Sequence, residues 1–145
     1  MNLLVQVDCF ETDCSSIDID GTHATELTVE CNDDDLCARS IILIWCPVGV
    51  GTQCDLNCGA DGACQLANVH IYSQNVVSSQ MSDISVNCLG WLSCFLMDLL
   101  IEVDYVGTLN MVGNDEESLS YATIDVRSVR VESLNISCEK PTEWP

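Results

Sequence analysis

Residues 58–74 read CGADGACQLANVHIYSQ: two cysteines, Cys58 and Cys64, frame a small acidic turn that leads into an alternation of apolar and polar residues. The phrase recurs along the chain. First cysteines stand at Cys9, Cys31, Cys58, Cys88 and Cys138, and a second follows five or six residues later at Cys14, Cys37, Cys64 and Cys94. The gap from Cys88 to Cys138 is 50 residues, two steps of 25, so a coil without cysteines is expected to begin at Gly113, with Leu119 in the place of the second cysteine.

The residues ahead of each first position carry the same register. They read Val5/Val7, Leu27/Val29, Cys54/Leu56, Ile84/Val86, Leu109/Met111 and Leu134/Ile136, with mostly polar residues between them. A period of two marks a strand with one face inward. A second strand follows each turn: Ile17/Ile19, Ile42/Ile44, Val69/Ile71, Leu99/Ile101 and Ile124/Val126. One unit is therefore strand, corner, strand, return loop. Such a unit cannot bury its apolar face alone, so units must stack. The expectation is an all-β chain, a disulfide-stapled parallel β-solenoid of about five coils with strands about 4.8 Å apart. It forms one domain over residues 1–145, with coils starting near 9, 31, 58, 88, 113 and 138. A β-sandwich is the rival, but it does not need the register to persist through a coil that has lost its cysteines.

The stretches CNDDDLCARSIILIWC, CGADGACQLANVHI and CLGWLSCFLMDLLI resemble right-handed parallel β-helices, and more narrowly the cysteine-rich repeats of secreted and surface proteins of algae and other protists. The resemblance covers about residues 5–138. It implies the fold and the compartment, and no particular activity.

Eleven cysteines point to an oxidising compartment. A zinc site wants tighter cysteine pairs with further ligands, and a redox site wants Cys-x-x-Cys in a basic setting; neither pattern occurs. Both cysteines vanish together in the coil of Gly113 and Leu119, as partners bonded to each other would. The expected bridges are Cys9–Cys14, Cys31–Cys37, Cys58–Cys64 and Cys88–Cys94, with Cys46–Cys54 closing the return loop CPVGVGTQC and Cys138 left unpaired.

Twenty-three acidic residues face four Lys and Arg, a net charge of −19. Such a surface repels nucleic acid and anionic membrane surfaces and attracts cations and basic proteins. No apolar run is long enough for a membrane-spanning helix, so no membrane insertion is expected. MNLLVQVDCF lacks the basic and apolar regions of a signal peptide. The chain thus reads as a mature form or a piece of a longer solenoid, secreted or at the cell surface, with an oxidising organelle lumen as the alternative.

Candidate sites are few. The outward positions of the second strands, Leu43/Trp45, His70/Tyr72 and Leu100/Glu102, form an apolar and partly aromatic partner-binding patch, with Trp91 in a turn as a separate candidate. Turn acids Asp33, Asp34, Asp35, Asp61 and Asp115 are the candidates for calcium, though their spacing matches no standard calcium loop; no other cofactor is implied. Asn135-Ile136-Ser137 is a glycosylation sequon. Threonines form no column of the kind an ice-binding face would need. Asp98, Glu102, Asp104 and Asp125 are the carboxylates a polysaccharide lyase or hydrolase could use, but the acidic surface suits uronate substrates poorly. The expected function is a non-catalytic structural or binding module. It would present faces to protein or glycan partners, or self-associate through open solenoid ends. A carbohydrate-active enzyme or a calcium-dependent adhesion module is the alternative.

Overall fold

A computed structural model describes residues 2–6, 16–32, 37–73, 81–114 and 117–138. Every strand is parallel to its neighbours, and the chain winds into a β-solenoid of about five turns. One sheet stacks β1 (Asn2–Gln6), β3 (Glu26–Cys31), β5 (Thr52–Cys58), β7 (Ser82–Cys88), β9 (Tyr105–Gly113) and β11 (Arg130–Cys138). The other stacks β2 (Ser16–Asp20), β4 (Ile41–Trp45), β6 (Asn68–Tyr72), β8 (Asp98–Glu102) and β10 (Thr123–Val126). Each coil gives one strand to each sheet.

The alternation expected from the sequence decides which side chains meet between the sheets. Leu27, Cys54, Ile84 and Leu109 form one inward column; Val29, Leu56, Val86 and Met111 form the next; all are buried. Ile42, Val69 and Leu99, then Ile44, Ile71 and Ile101, line the opposing sheet. Stacking equal positions gives each apolar side chain a like neighbour above and below, so the core is a set of continuous columns.

Register follows the repeat through most of the chain: Cys31 stands beside Cys58, Cys58 beside Cys88, Cys88 beside Gly113, and Gly113 beside Cys138. The first coil departs from it. β1 sets Leu3 beside Leu27 and Val5 beside Val29, whereas alignment on Cys9 would set Val5 beside Leu27. The shift is two residues, which keeps the same face inward. Its cause is the length of the corner between the sheets. Val29 to Ile42, Leu56 to Val69, Val86 to Leu99 and Met111 to Ile124 are each thirteen residues, and Val5 to Ile17 is twelve. The corner is nearly constant, and differences in coil length fall in the return loops.

Corners hold one another through a further ladder of backbone bonds. Cys37 N–H donates to Ala63 O (2.8 Å), Cys64 N–H to Ser93 O (2.6 Å) and Cys94 N–H to Ser118 O (2.8 Å). Two residues beyond each second-cysteine position the backbone is left-handed, at Arg39, Leu66, Leu96 and Tyr121, with φ of 54–60°. This turns the chain from corner into strand at the same height in each of these four coils.

The corner bridges Cys31–Cys37, Cys58–Cys64 and Cys88–Cys94 are present, with Cα separations of 6.1, 5.8 and 5.8 Å. Cys46–Cys54 closes its loop at 5.5 Å. Cys9 and Cys14 lie outside the described residues. Beside the Cys46–Cys54 bridge, Thr52 Oγ1 donates to Gly49 O (2.7 Å) within the loop, and Ser82 Oγ donates to Pro47 O (3.0 Å), tying that loop to the next coil. At the corner without cysteines, Gly113 and Leu119 fit each other: a Cβ on Gly113 would lie 2.6 Å from Ser118 Oγ and 3.0 Å from Leu119 Cδ1. The leucine side chain fills the space that sulfurs take elsewhere.

β9 carries a bulge. Ser82 stands beside Val106 and Ile84 beside Leu109, so Gly107 and Thr108 together face Asp83. Asp83 Oδ1 accepts the Thr108 N–H (2.9 Å), and a Cβ on Gly107 would lie 2.6 Å from that oxygen. A glycine followed by a freed amide is what this carboxylate requires.

Candidate functional site

The outer face of the second sheet gathers most of the partner-binding residues expected from the sequence. Residues two apart on a strand share a face, and the register then stacks them across coils. Leu43, His70, Leu100 and Asp125 form one column, and Trp45 and Tyr72 continue beside Glu102 in the next. Leu43, Trp45, His70, Tyr72, Leu100 and Glu102 are half-buried.

Within this face a chain of polar contacts holds His70. Its Nε2 lies 2.9 Å from Glu102 Oε1, and its Nδ1 meets the Tyr72 hydroxyl. Burial raises the Tyr72 phenol above its ordinary value, helped by the negative charges of Glu102 and Asp18. The phenol therefore stays protonated and donates to Nδ1, which leaves Nε2 to carry the imidazole proton and donate to Glu102. Tyr72 also stacks on Trp45, with ring centroids 4.6 Å apart and planes 17° from parallel. Two aromatic rings, an imidazole and a carboxylate thus brace one another from three strands.

Two hollows flank this brace. One, of about 340 Å³, runs over Ile41, Leu43, Asn68, His70, Leu100 and Thr123, with Asp98 and Asp125 at its edge. The other, of about 360 Å³, lies between Trp45 and Asp18, Asp20 and Thr22. Thr22 bonds Asp20 through its hydroxyl (2.6 Å) and its backbone N–H (3.0 Å), which holds the Asp20 carboxyl below its usual range.

The carboxylates weighed for sugar chemistry are not cross-strand partners. Asp98 stands beside Thr123 and Asp125 beside Leu100, while Glu102 is taken by His70. Asp125 pairs with Arg127 at 3.0 Å, and Arg130 with Glu132 at 3.1 Å.

The remaining candidates lie elsewhere. Trp91 is exposed on a corner, and its backbone N–H donates to Asp61 Oδ1 (2.9 Å). Asp61 therefore serves as a cap for the corner of the next coil. Asp33, Asp34, Asp35 and Asp115 lie outside the described residues, among which no three His, Cys, Asp or Glu side chains come together as metal ligands. Asn135 is exposed on β11 and donates from Nδ2 to Asn110 Oδ1 (3.0 Å). Cys138 is free and exposed at the end of the same strand.

Sequence reasoning placed the aromatic residues on this face but missed the bond from His70 to Glu102. The signal was available: the step of 30 residues sets Tyr72 beside Glu102, which puts His70 on the diagonal to it. Asn68 and Thr123 were also missed, and Asp98 between them was named only as a carboxylate for sugar chemistry, because this column lies two residues ahead of those used to define the patch.

Four disulfides are compatible with an oxidising, extracellular or lumenal location. Among the described residues no helix is long and apolar enough to cross a membrane. Comparison of the chain with family models, with curated proteins and with solved structures finds no match in any of the three.

Proposed function

We propose that the chain is a non-catalytic structural module of a secreted or cell-surface assembly, joined head to tail to a second copy through its strand edges. An oxidising organelle lumen is the alternative setting. The observation that carries the reading is the fate of the core columns at β11. Leu134 and Ile136 continue columns whose earlier members are buried, yet they are 57% and 53% exposed. Val126 and Val129 beside them are exposed as well.

The outer edge of a parallel strand is also a row of backbone donors and acceptors ready for another strand. Among the described strands, β11 and β1 are the two edges of one sheet and run in the same direction. A second copy displaced along the solenoid axis can therefore set its β1 on β11 in the pairing used throughout the interior. Such an interface is heterologous and adds units in a line. Covering the half-exposed Leu134 and Ile136 contributes about 1 kcal/mol each, near half the value of full burial.

Sedimentation across a concentration series tests the reading. The native chain is expected to associate progressively, with a thermal midpoint that rises with concentration, and Leu134→Glu with Ile136→Glu is expected to leave a folded monomer whose midpoint does not depend on concentration. Alkylation of Cys138 should slow as association proceeds. A native chain that stays monomeric at every concentration, or a charged variant that associates equally well, overturns it.

A further inference from the structure

The outer face of the second sheet has features that the head-to-tail reading does not use. Its centre is apolar and aromatic, built by Leu43, Leu100, Trp45 and Tyr72. Its two ends are acidic: Asp18 and Asp20 lie on β2, and Asp98 and Asp125 on β8 and β10. No described cation pairs with Asp18, Asp20 or Asp98; Arg127, the cation at the far end, is held by Asp125. Three strand steps separate β2 from β8, which is roughly 14 Å at about 4.8 Å per step.

The brace makes this face a prepared surface. Both ring nitrogens of His70 are engaged and Tyr72 is pinned between His70 and Trp45, so little side-chain freedom remains to be lost on binding. The hollow along Ile41, Leu43, His70 and Leu100 is open and elongated along the axis, and its lining is more apolar than polar.

We propose that this face is a docking groove for an extended segment of a partner protein that carries basic residues about four positions apart, with an apolar side chain midway between them. The spacing follows from the acidic ends, since an extended chain covers roughly 13 Å in four residues at about 3.3 Å each, and a lysine or arginine stem spans the remainder. Period-two alternation turns the first, third and fifth side chains to the same side. The basic side chains reach Asp18/Asp20 at one end and Asp98 at the other, where Asp125, already paired with Arg127, adds a shared carboxylate, and the central apolar side chain lies on Leu43 and Leu100. The charge of the whole molecule, −19, steers such a segment toward the surface but does not select the groove.

The test uses a blocked pentapeptide, Lys-Ser-Leu-Ser-Lys, titrated into the full chain and followed by NMR amide shifts. Shifts are expected at Leu43, His70 and Leu100, with affinity falling at least tenfold for Gln-Ser-Leu-Ser-Gln and falling again as salt is raised. Asp98→Asn with Asp125→Asn should weaken binding about tenfold. Glu26→Gln with Glu30→Gln, on the outer face of the other sheet, should leave it within twofold. Equal weakening by the two pairs of substitutions would mean diffuse charge attraction and overturns the groove. So does tighter binding of a neutral oligosaccharide, or of a linear polyamine, at the same residues. Self-association through β11 is read separately by sedimentation, so either proposal can fail without the other.

Discussion

Asp55 sits on the outer face of β5, beside Thr28 of one coil and Ser85 of the next. Burial, then the charges of Glu26 and Asp83, hold its carboxyl above the ordinary value of 3.8. A raised carboxyl means that the folded chain binds protons the unfolded chain has already released. The Asp55 contribution to stability therefore falls as pH rises from 3.8 through the folded value, and then stays flat. Asp55→Asn removes that loss. The variant is expected to exceed the parent in urea midpoint at pH 7, with the two curves converging below the ordinary carboxylate range. An amide suits the position, because Asn110 and Asn135 occupy the same column two and three coils on and bond to each other. A constant difference at every pH would show that packing, and not ionisation, separates the two side chains.

At the scale of the element, the corner is the unit that repeats best, and its one variant tests how it works. Gly113 and Leu119 occupy the positions of Cys88 and Cys94. Gly113→Cys alone is expected to destabilise the fold, because its side chain meets Ser118 and Leu119. With Leu119→Cys in the same chain the leucine contact leaves, only the Ser118 hydroxyl has to turn aside, and the missing bridge can close, raising stability by about 2 kcal/mol for so short a loop. Mass spectrometry of non-reduced peptides should find the link from 113 to 119, and thermal melting should place the double variant above the parent. The same corner explains what could be read from the sequence. Leu27, Leu56 and Val86 alternate with polar residues, and alternation reports which face is inward without any knowledge of partners. It is blind to a slip of two, which is why alignment on Cys9 misplaced β1 while leaving its faces correct. The ladder between corners and the left-handed Arg39, Leu66, Leu96 and Tyr121 gave no signal, because none of these residue types favours that conformation. For the candidate site, Trp45, His70 and Tyr72 stood out by type. Their acidic partners are ordinary surface residues until the register brings them alongside.

For the whole molecule the governing quantity is charge held on parallel columns. Stacking in register repeats each outward position about every 4.8 Å; no two of the carboxylates on the described strands are direct cross-strand neighbours, but they share faces and meet on diagonals, as Glu26 and Asp83 do around Asp55. Glu26, Glu30, Asp55 and Asp83 share one outer face, and Asp18, Asp20, Asp98, Glu102 and Asp125 share the other. The two arginine–carboxylate pairs among the described residues, Arg127–Asp125 and Arg130–Glu132, offset little of this, since an exposed pair contributes at most about 1 kcal/mol. Unfolding lets the charges separate, so self-repulsion opposes the native state. Added salt shortens the reach of that repulsion from about 30 Å at 0.01 M to about 8 Å at 0.15 M. The thermal midpoint is therefore expected to rise over this range of sodium chloride, by about 4 °C for each kcal/mol of repulsion removed. Screening depends on ionic strength and not on the identity of the cation. Calcium chloride at matched ionic strength should accordingly give the same curve, whereas a bound ion would add a further rise that grows with calcium concentration. A flat midpoint in both salts would mean that the spacing of the columns already keeps their charges apart, and that the −19 charge acts on partners alone.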